Sequence, residues 1–483
     1  MDFLLHYLRT TSQRQRVRPW ALLPTILVLL VALPLLRPLR VPQSQGISSN
    51  ELSRLAVVES LAERGTQDIE RTSYYAILKD RKSTDKSHEA PETVRKSDGI
   101  FSDKMPVLSF ILAGYYSVLM WFGLTMEKNP VAVTYVLTLL GSTLPVAAAA
   151  GLLYRMGRLF ELPRPWRTAL AVAVIFGSGL ITYAVVINAH APAAAFVIAA
   201  CACIVHLCVA KHETFTGMWM LICGLCASIA TVIDLAAGVF LIGFLAVIVT
   251  MRWRKRMRFG GALMYLIGIA PPLILHAMLM IPLTGDMFPL YMHPEMRPTT
   301  ARPVVLVPSL DLDDEPVSES GWIHRTAVGT EHVMGALIGT HGIVTHFPAV
   351  LLGIMGIVLV LRRHWPTATK TMALVTLSGG AIVILVCVYN ADWTQAMFGP
   401  RWFIVFMPLM LFWTGAWLRK SHHAVTWTVA ALLIVFSVTV SLIGTTNPFV
   451  ITSPGTYSVS AAVKELMHPG QPMINPMIVA SGD

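Results

Sequence analysis

Residues Gly260–Ile281 read GGALMYLIGIAPPLILHAMLMI and include no Asp, Glu, Lys or Arg. A helix needs about 20 consecutive apolar residues to cross the hydrocarbon core of a bilayer, so this stretch predicts a transmembrane helix. Directly before it lies Arg252–Arg258, RWRKRMR. Basic clusters collect at the cytoplasmic ends of membrane spans. The two segments together indicate an integral membrane protein whose basic loops lie inside.

The composition of the whole chain agrees with this class. Hydrophobic residues make up 55% and charged residues 13%, with a formal net charge of +10. A soluble domain has about 25% charged residues. Lys and Arg cluster at the ends of apolar runs, which accounts for the net charge without a nucleic-acid partner. A membrane barrel needs short alternating segments, which the sequence lacks, so we predict an all-α polytopic membrane protein.

Apolar runs of spanning length recur along the chain, and we predict roughly 11 to 13 transmembrane helices of about 20 residues each. The first run follows an Arg-rich N-terminus and is interpreted as a retained signal anchor. The predicted spans are Trp20–Leu39, Met105–Met126, Val131–Tyr154, Trp166–Ile187, Pro192–Ala210, Phe215–Ile233, Leu235–Met251, Gly260–Ile281, Thr345–Leu361, Thr371–Tyr389, Trp402–Leu418 and Ala424–Ile443.

The same pattern predicts three parts of the chain: a cytoplasmic N-terminus (1–18), a single membrane domain (19–446) and a polar C-terminal tail (447–483). Two long polar loops within the membrane domain, at about residues 40–104 and 282–344, are expected on the outer face because the short basic loops are inside.

One conflict in this topology stays open. An odd number of crossings must separate the first outer loop from the basic loop that begins at Arg155, but the pattern predicts both Met105–Met126 and Val131–Tyr154 as spans. Pro145 interrupts the second run, so one element there is a half-span or a pair of short helices.

The cysteines and acidic runs bear on metal binding. All six cysteines lie in apolar segments, and Cys223-x-x-Cys226 has no second ligand pair, so we interpret them as small core residues rather than a metal or redox site. A divalent cation at the acidic run Asp311–Glu315 stays open as an alternative, although such runs are usually just solvated.

The first outer loop contains a predicted amphipathic helix. Ser48–Gly65 reads SSNELSRLAVVESLAERG, with Leu52, Leu55 and Ala56 on one face and charged residues on the other. A helix of this kind after a first span is expected to lie along the membrane surface. Ser48-x-x-Glu51 also has the spacing of a capping box, in which the glutamate binds the amide of the N-cap residue.

Several pieces of the chain carry a resemblance. They are Ser53–Ile69 (SRLAVVESLAERGTQDI), Asp98–Gly123 (DGIFSDKMPVLSFILAGYYSVLMWFG), Asn188–Pro192 (NAHAP), Gly342–Val350 (GIVTHFPAV) and Phe398–Trp402 (FGPRW), preceded by Asp392-Trp393-Thr394. Together they resemble bacterial family-39-like membrane glycosyltransferases of the type C superfold. Relatives of that group include protein O-mannosyltransferases and lipid A aminoarabinose transferases. The resemblance extends from about Ser49 to Pro408.

The resemblance implies a type C glycosyltransferase-like fold with a surface helix in a large first outer loop. It also implies transfer of a sugar from a polyprenyl-phosphate donor to a lipid, glycan or protein acceptor, at the outer face of a bacterial inner membrane. The chain departs from the family at one point. Relatives carry an Asp-Glu pair near the start of the surface helix, with the Asp as the expected base, and here the pair is Asn50-Glu51. Asn cannot accept a proton at neutral pH.

The reaction needs a base for the acceptor hydroxyl and cations for the leaving phosphate. The candidate bases are Glu51, Asp68 and Asp103. The candidate substrate-binding residues are Arg54, Lys104, His190, His346, Asp392 and Arg401. Each has a structural alternative, such as capping, pairing with a neighbour or snorkelling to the membrane interface. We expect Asp234 to be a turn residue.

Two other functions stay open: a transporter or flippase of lipid-linked material, and a non-catalytic membrane protein with this fold. Transporters usually contain inverted repeats and broken helices at matching positions. The sequence contains no clear internal repeat and concentrates its polar residues in predicted outer loops, which favours the enzyme.

Overall fold

A computed structural model describes residues 19–36, 48–83, 93–96, 99–210, 215–254, 259–293, 332–389, 398–419, 423–450 and 456–467. Several predictions from the sequence lie outside these residues. They are the cytoplasmic N-terminus (1–18), the acidic run Asp311–Glu315, the candidate ligand Asp392 and the end of the C-terminal tail.

The described part of the chain is mostly helical. The helices are α1 (Pro19–Leu35), α2 (Ser49–Arg64), α3 (Ser73–Ser83), α4 (Pro106–Trp121), α5 (Pro130–Thr138), α6 (Leu144–Met156), α7 (Arg164–Gly177), α8 (Leu180–Ala184), α9 (His190–Val209), α10 (Thr216–Ile233), α11 (Gly238–Trp253), α12 (Phe259–Thr284), α13 (Ile343–His346), α14 (Val350–Arg362), α15 (Thr367–Tyr389), α16 (Met407–Phe412), α17 (Thr414–Leu418), α18 (Ala424–Gly444) and α19 (Ser458–Met467). Strands β1 (Thr93–Lys96) and β2 (Gly99–Ser102) form an antiparallel hairpin.

Seven of the described helices are long and apolar enough to cross a membrane. They are Pro130–Phe160, His190–Val209, Thr216–Ile233, Leu235–Trp253, Phe259–Thr284, Thr367–Val386 and Ala424–Gly444. The pair His332–His346 and Val350–Arg362, bent by 95°, would make an eighth span. The prediction of a helical protein with several membrane spans is therefore confirmed.

The described residues do not reach the predicted count of roughly 11 to 13 spans. Three predicted spans are shorter apolar helices instead, at Trp20–Leu35, Pro106–Trp121 and Met407–Leu418. A fourth predicted span, Trp166–Ile187, is broken into α7 and α8. These four segments are therefore apolar helices that fall short of the length of a candidate span.

The break between α7 and α8 lies at Gly179, which adopts a left-handed conformation with φ of 77°. The amide of Gly179 donates to Ser441 Oγ at 3.1 Å, and Thr182 Oγ1 donates to the Ser441 carbonyl at 2.8 Å. A Cβ at position 179 would lie 2.6 Å from a ring carbon of Phe347, so only glycine fits. The break directs the chain from α8 into the buried segment that leads to His190.

One end of the bundle carries basic loops. Arg419 pairs with Glu161 at 2.5 Å and lies 5.3 Å from the ring of Trp365. Arg167 lies 4.8 Å from the ring of Tyr154. We call this the basic end. The loops predicted to be cytoplasmic after α6, α14 and α17 therefore lie together.

The opposite end, which we call the polar end, carries α2, the hairpin and the C-terminal end of α12. The ammonium of Lys96 donates to the Leu283 carbonyl, and Gln67 Nε2 donates to the Leu279 carbonyl at 2.9 Å. The span Pro130–Phe160 connects the two ends, because Thr134 near its start contacts Tyr74 of α3 at 2.9 Å.

Helix α4 runs alongside α2 in the same direction. Ser109 Oγ donates to the Arg54 carbonyl at 3.4 Å, and Tyr116 OH donates to Glu63 Oε1 at 2.7 Å. Its exposed face includes Trp121. Aromatic residues of this kind favour the membrane interface. We interpret α4 as a helix that lies in the interface beside α2. Pro130–Phe160 is then the one crossing before the basic end, which removes the topology conflict.

Labelling of single cysteines with a membrane-impermeant maleimide checks this topology, in a background that lacks the six native cysteines. A cysteine at exposed Glu70 or Glu127 is expected to react in intact cells, because this topology predicts that both positions lie outside. A cysteine at exposed Arg158, at the basic end, is expected to react only after permeabilisation. Protection of position 127 until permeabilisation would show instead that α4 crosses the membrane.

Candidate functional site

Helix α2 begins with the capping box that its sequence predicts. The amide of Glu51 donates to Ser48 Oγ at 3.2 Å, while Glu51 Oε2 accepts from the Ser48 amide at 3.0 Å and from its hydroxyl at 3.1 Å. The other oxygen, Oε1, accepts from the amide of Ile187 at 3.2 Å. Glu51 is 1% exposed. Oε2 of this candidate base therefore closes the N-terminal cap of α2, and Oε1 holds α2 to the segment that follows α8.

One turn further along α2, Arg54 is buried beside Asn50. Arg54 Nε donates to Asn50 Oδ1 at 3.4 Å. The guanidinium therefore contacts an uncharged amide oxygen rather than a carboxylate at this position. The contact orients Arg54 without neutralising its charge.

His190 and Asp234 form a buried pair, which we call the dyad. His190 is the first residue of α9, and Asp234 directly follows α10. His190 Nδ1 lies 2.5 Å from Asp234 Oδ2, and Asp234 Oδ1 accepts from the amide of Ala236 at 3.1 Å. Asp234 therefore caps a turn, as predicted, and also binds His190, which the sequence analysis missed. The available signal was that both residues lie at the same predicted ends of successive spans.

Two guanidinium groups lie near this dyad. Arg54 from α2 and Arg401, from a 3-10 turn that follows Pro400, are both close enough to His190 to act electrostatically on its charge. The ring of Trp402 lies 5.9 Å from that of His190. We call Arg54, His190, Asp234 and Arg401 the polar centre. Three of its members were predicted from the sequence as substrate-binding residues.

The polar centre stabilises the charge of Asp234. Burial alone would raise the pKa of this carboxyl group, but neighbouring His190, the amide of Ala236 and the charge of Arg54 together hold the pKa below its ordinary value. Asp234 is therefore an anion that can hold a proton on His190 Nδ1.

His346 lies behind the turn that carries Arg401. Its Nδ1 contacts the Gly342 carbonyl at 2.9 Å, and its Nε2 contacts Ser458 Oγ at 2.6 Å. Ser458 Oγ also accepts from the amide of Gly399 at 3.0 Å. Because a carbonyl only accepts, Nδ1 carries the proton and Nε2 accepts from the Ser458 hydroxyl. His346 is 0% exposed, so it can position the Arg401 turn but not touch a ligand.

The acidic candidates near the hairpin have structural partners. Asp68 Oδ1 accepts from the amide of Ile100 at 3.0 Å and from that of Glu70 at 3.1 Å, which ties the end of α2 to β2. Asp103 pairs with Lys104 at 3.1 Å. Lys104 lines a narrow cleft between the hairpin and α4, together with Gln67, Ser102, Ser109 and Leu283. These residues form a second polar group beside the polar centre.

Within the described ranges, no group of three or more His, Cys, Asp or Glu side chains could hold a metal ion. The described cysteines are free thiols, and Cys223 donates to the Ala200 carbonyl at 3.3 Å within the α9–α10 contact. This agrees with the interpretation of the cysteines as core residues.

Comparison with known proteins identifies no relative, since no protein-family model and no curated protein matches this chain. The chain is a helical protein with about seven candidate membrane spans and a buried centre of two arginines, a histidine and an aspartate at its polar end.

Proposed function

We propose that this protein transfers a sugar from a polyprenyl-phosphate donor to an acceptor at the outer face of a bacterial inner membrane. The observation that carries the proposal is that two buried guanidinium groups, those of Arg54 and Arg401, act electrostatically on the imidazole of His190, at the end of the bundle away from the basic loops. The phosphate of a lipid-linked donor would lie at this end of the bundle, with its tail among the spans. The acceptor class, whether lipid, glycan or protein, stays open.

The two arginines suit a leaving phosphate. A guanidinium keeps its charge when buried and can bind two phosphate oxygens at once. The phosphate gains negative charge as its bond to the sugar breaks, and preorganised cations stabilise that charge most strongly in a site that excludes water. Arg54 is 4% and Arg401 9% exposed, so both meet this condition.

Hydrogen bonds from several parts of the fold also hold the arginines of the polar centre in fixed positions. Arg54 is oriented by Asn50, and the Arg401 turn is held through Gly399 by Ser458 and His346. A fixed site of this kind favours the changing charge of a reaction over the unchanged charge of a transported ligand. This supports the enzyme over the flippase, although either would bind the same headgroup.

A transfer assay distinguishes the two functions. Purified protein in nanodiscs is mixed with radiolabelled polyprenyl-phosphate sugars and a panel of lipid, glycan and peptide acceptors, with water as the default acceptor. We expect release of polyprenyl phosphate in the same amount as the sugar transferred or hydrolysed. Movement of the intact donor across proteoliposome membranes, with no polyprenyl phosphate released, would overturn the proposal in favour of a flippase.

A further inference from the structure

The proposed transfer needs a base, and the carboxylates predicted for that role are occupied. Position 50 carries an amide, and both oxygens of Glu51 bind Ser48 and Ile187. Asp68 holds the hairpin, and Asp103 pairs with Lys104. The group at the polar centre that can accept a proton is the imidazole of His190.

We propose that His190 is the catalytic base of this reaction and that Asp234 is its positioning residue. The inference rests on the proposed function and deepens it. In this proposal, the dyad performs the proton transfer that a carboxylate at position 50 would otherwise perform.

The geometry of the dyad fixes the state of the imidazole. Because Asp234 binds Nδ1 and is itself held by the amide of Ala236, Nδ1 carries the proton and Nε2 keeps a free lone pair. Within the described part of the chain, Nε2 makes no hydrogen bond. The His190 side chain is 10% exposed, and Nε2 is the ring nitrogen that Asp234 does not bind, so we assign to it the contact with an acceptor hydroxyl.

The acceptor hydroxyl gives its proton to Nε2 of His190, and its oxygen forms a bond to the anomeric carbon of the sugar. The bond from that carbon to the phosphate oxygen breaks, and its electron pair leaves with polyprenyl phosphate, whose new charge lies beside Arg54 and Arg401. Asp234 stabilises the imidazolium until the proton passes to water.

The test compares His190→Gln and Asp234→Asn with His206→Gln, all in purified protein. His206 is a matched control because it lies on the same helix, toward the opposite end, where its ring packs against Trp219 at 4.4 Å. We expect kcat to fall by roughly 10²–10⁴ in His190→Gln, the usual contribution of a general base, and to stay near the unmodified value in His206→Gln. Donor affinity, measured separately by retention of radiolabelled donor, is expected to change little in all three.

Asp234→Asn separates positioning from simple packing. The amide can donate to Nδ1, which leaves the proton on Nε2 and removes the lone pair, so kcat is expected to fall at least about 100-fold with KM nearly constant.

The dependence of kcat on pH gives a second test of His190 as the base. His190, faced by Arg54, Asp234 and Arg401, must be neutral to act, so kcat is lost as pH falls, and this acid limb is absent in His190→Gln.

Each outcome decides the proposal. Near-normal kcat in folded His190→Gln would overturn it while leaving the transferase intact. If that variant fails to fold by thermal melt, a normal kcat in Asp234→Asn overturns it instead. Donor binding without transfer in the unmodified protein would end the proposed function, and the proposal with it.

Discussion

Arg401→Ala is expected to lower sugar transfer by roughly 10²–10³-fold, the usual effect of removing one preorganised group that stabilises transition-state charge. Arg401 is buried in a turn beside His190 and Trp402, where a phosphate would meet its guanidinium with little competition from water. The loss should appear in kcat, because the charge on the phosphate grows as the bond breaks.

Arg401→Lys tests the geometry of the same contact. A lysine keeps the charge but not the planar pair of donors, so transfer is expected to stay well below the unmodified rate. The matched control is Arg419→Ala at the basic end, where an exposed pair with Glu161 contributes at most about 1 kcal/mol. Full activity of a folded Arg401→Ala protein would show that Arg401 only anchors the chain at the membrane interface.

Glu51→Ala is expected to destabilise the fold, whereas Glu51→Gln is expected to keep most of the activity. The alanine removes the acceptor for Ser48 and Ile187 and leaves buried amides unsatisfied, at a cost of about 1–3 kcal/mol in the free energy of unfolding. Glutamine also serves in a capping box, so it preserves the contact with Ser48. Transfer by Glu51→Gln should therefore stay within about tenfold of the unmodified rate if His190 is the base, as proposed.

Thermal melts and transfer assays on the two variants check this prediction together. A fall of roughly 10²–10⁴ in Glu51→Gln, with an unchanged melting temperature, would identify Glu51 as the base. That result would remove His190 from the role but would leave the proposed reaction in place.

Signals close together in the sequence predicted the bounds of α2, but not the burial of its predicted polar face, where Glu51, Arg54 and Glu59 are all buried. The capping box at Ser48 and the left-handed Gly65, with φ of 68°, delimit α2 within the predicted segment. Apolar composition predicted the class of protein for the same reason, since each span carries its own signal. Local patterns of this kind depend little on the rest of the fold.

Contacts between distant residues could not be predicted in this way. His190 binds Asp234, which lies 44 residues further along the chain. Gly179 binds Ser441, which lies 262 residues further along. The segment predicted as a polar tail contains α19, whose first residue, Ser458, is buried and links His346 to Gly399. Nothing in the spacing of these residues indicates their partners, because tertiary packing alone brings them together.

The central claim is that the polar centre binds the phosphate of a polyprenyl-phosphate sugar. A structure of the protein in a lipid nanodisc with a non-hydrolysable donor analogue tests it most directly. We expect the phosphate within hydrogen-bond distance of Arg54 and Arg401, with the sugar beside Nε2 of His190. A phosphate bound in the Lys104 cleft instead, or at the basic end near Arg419, would contradict it.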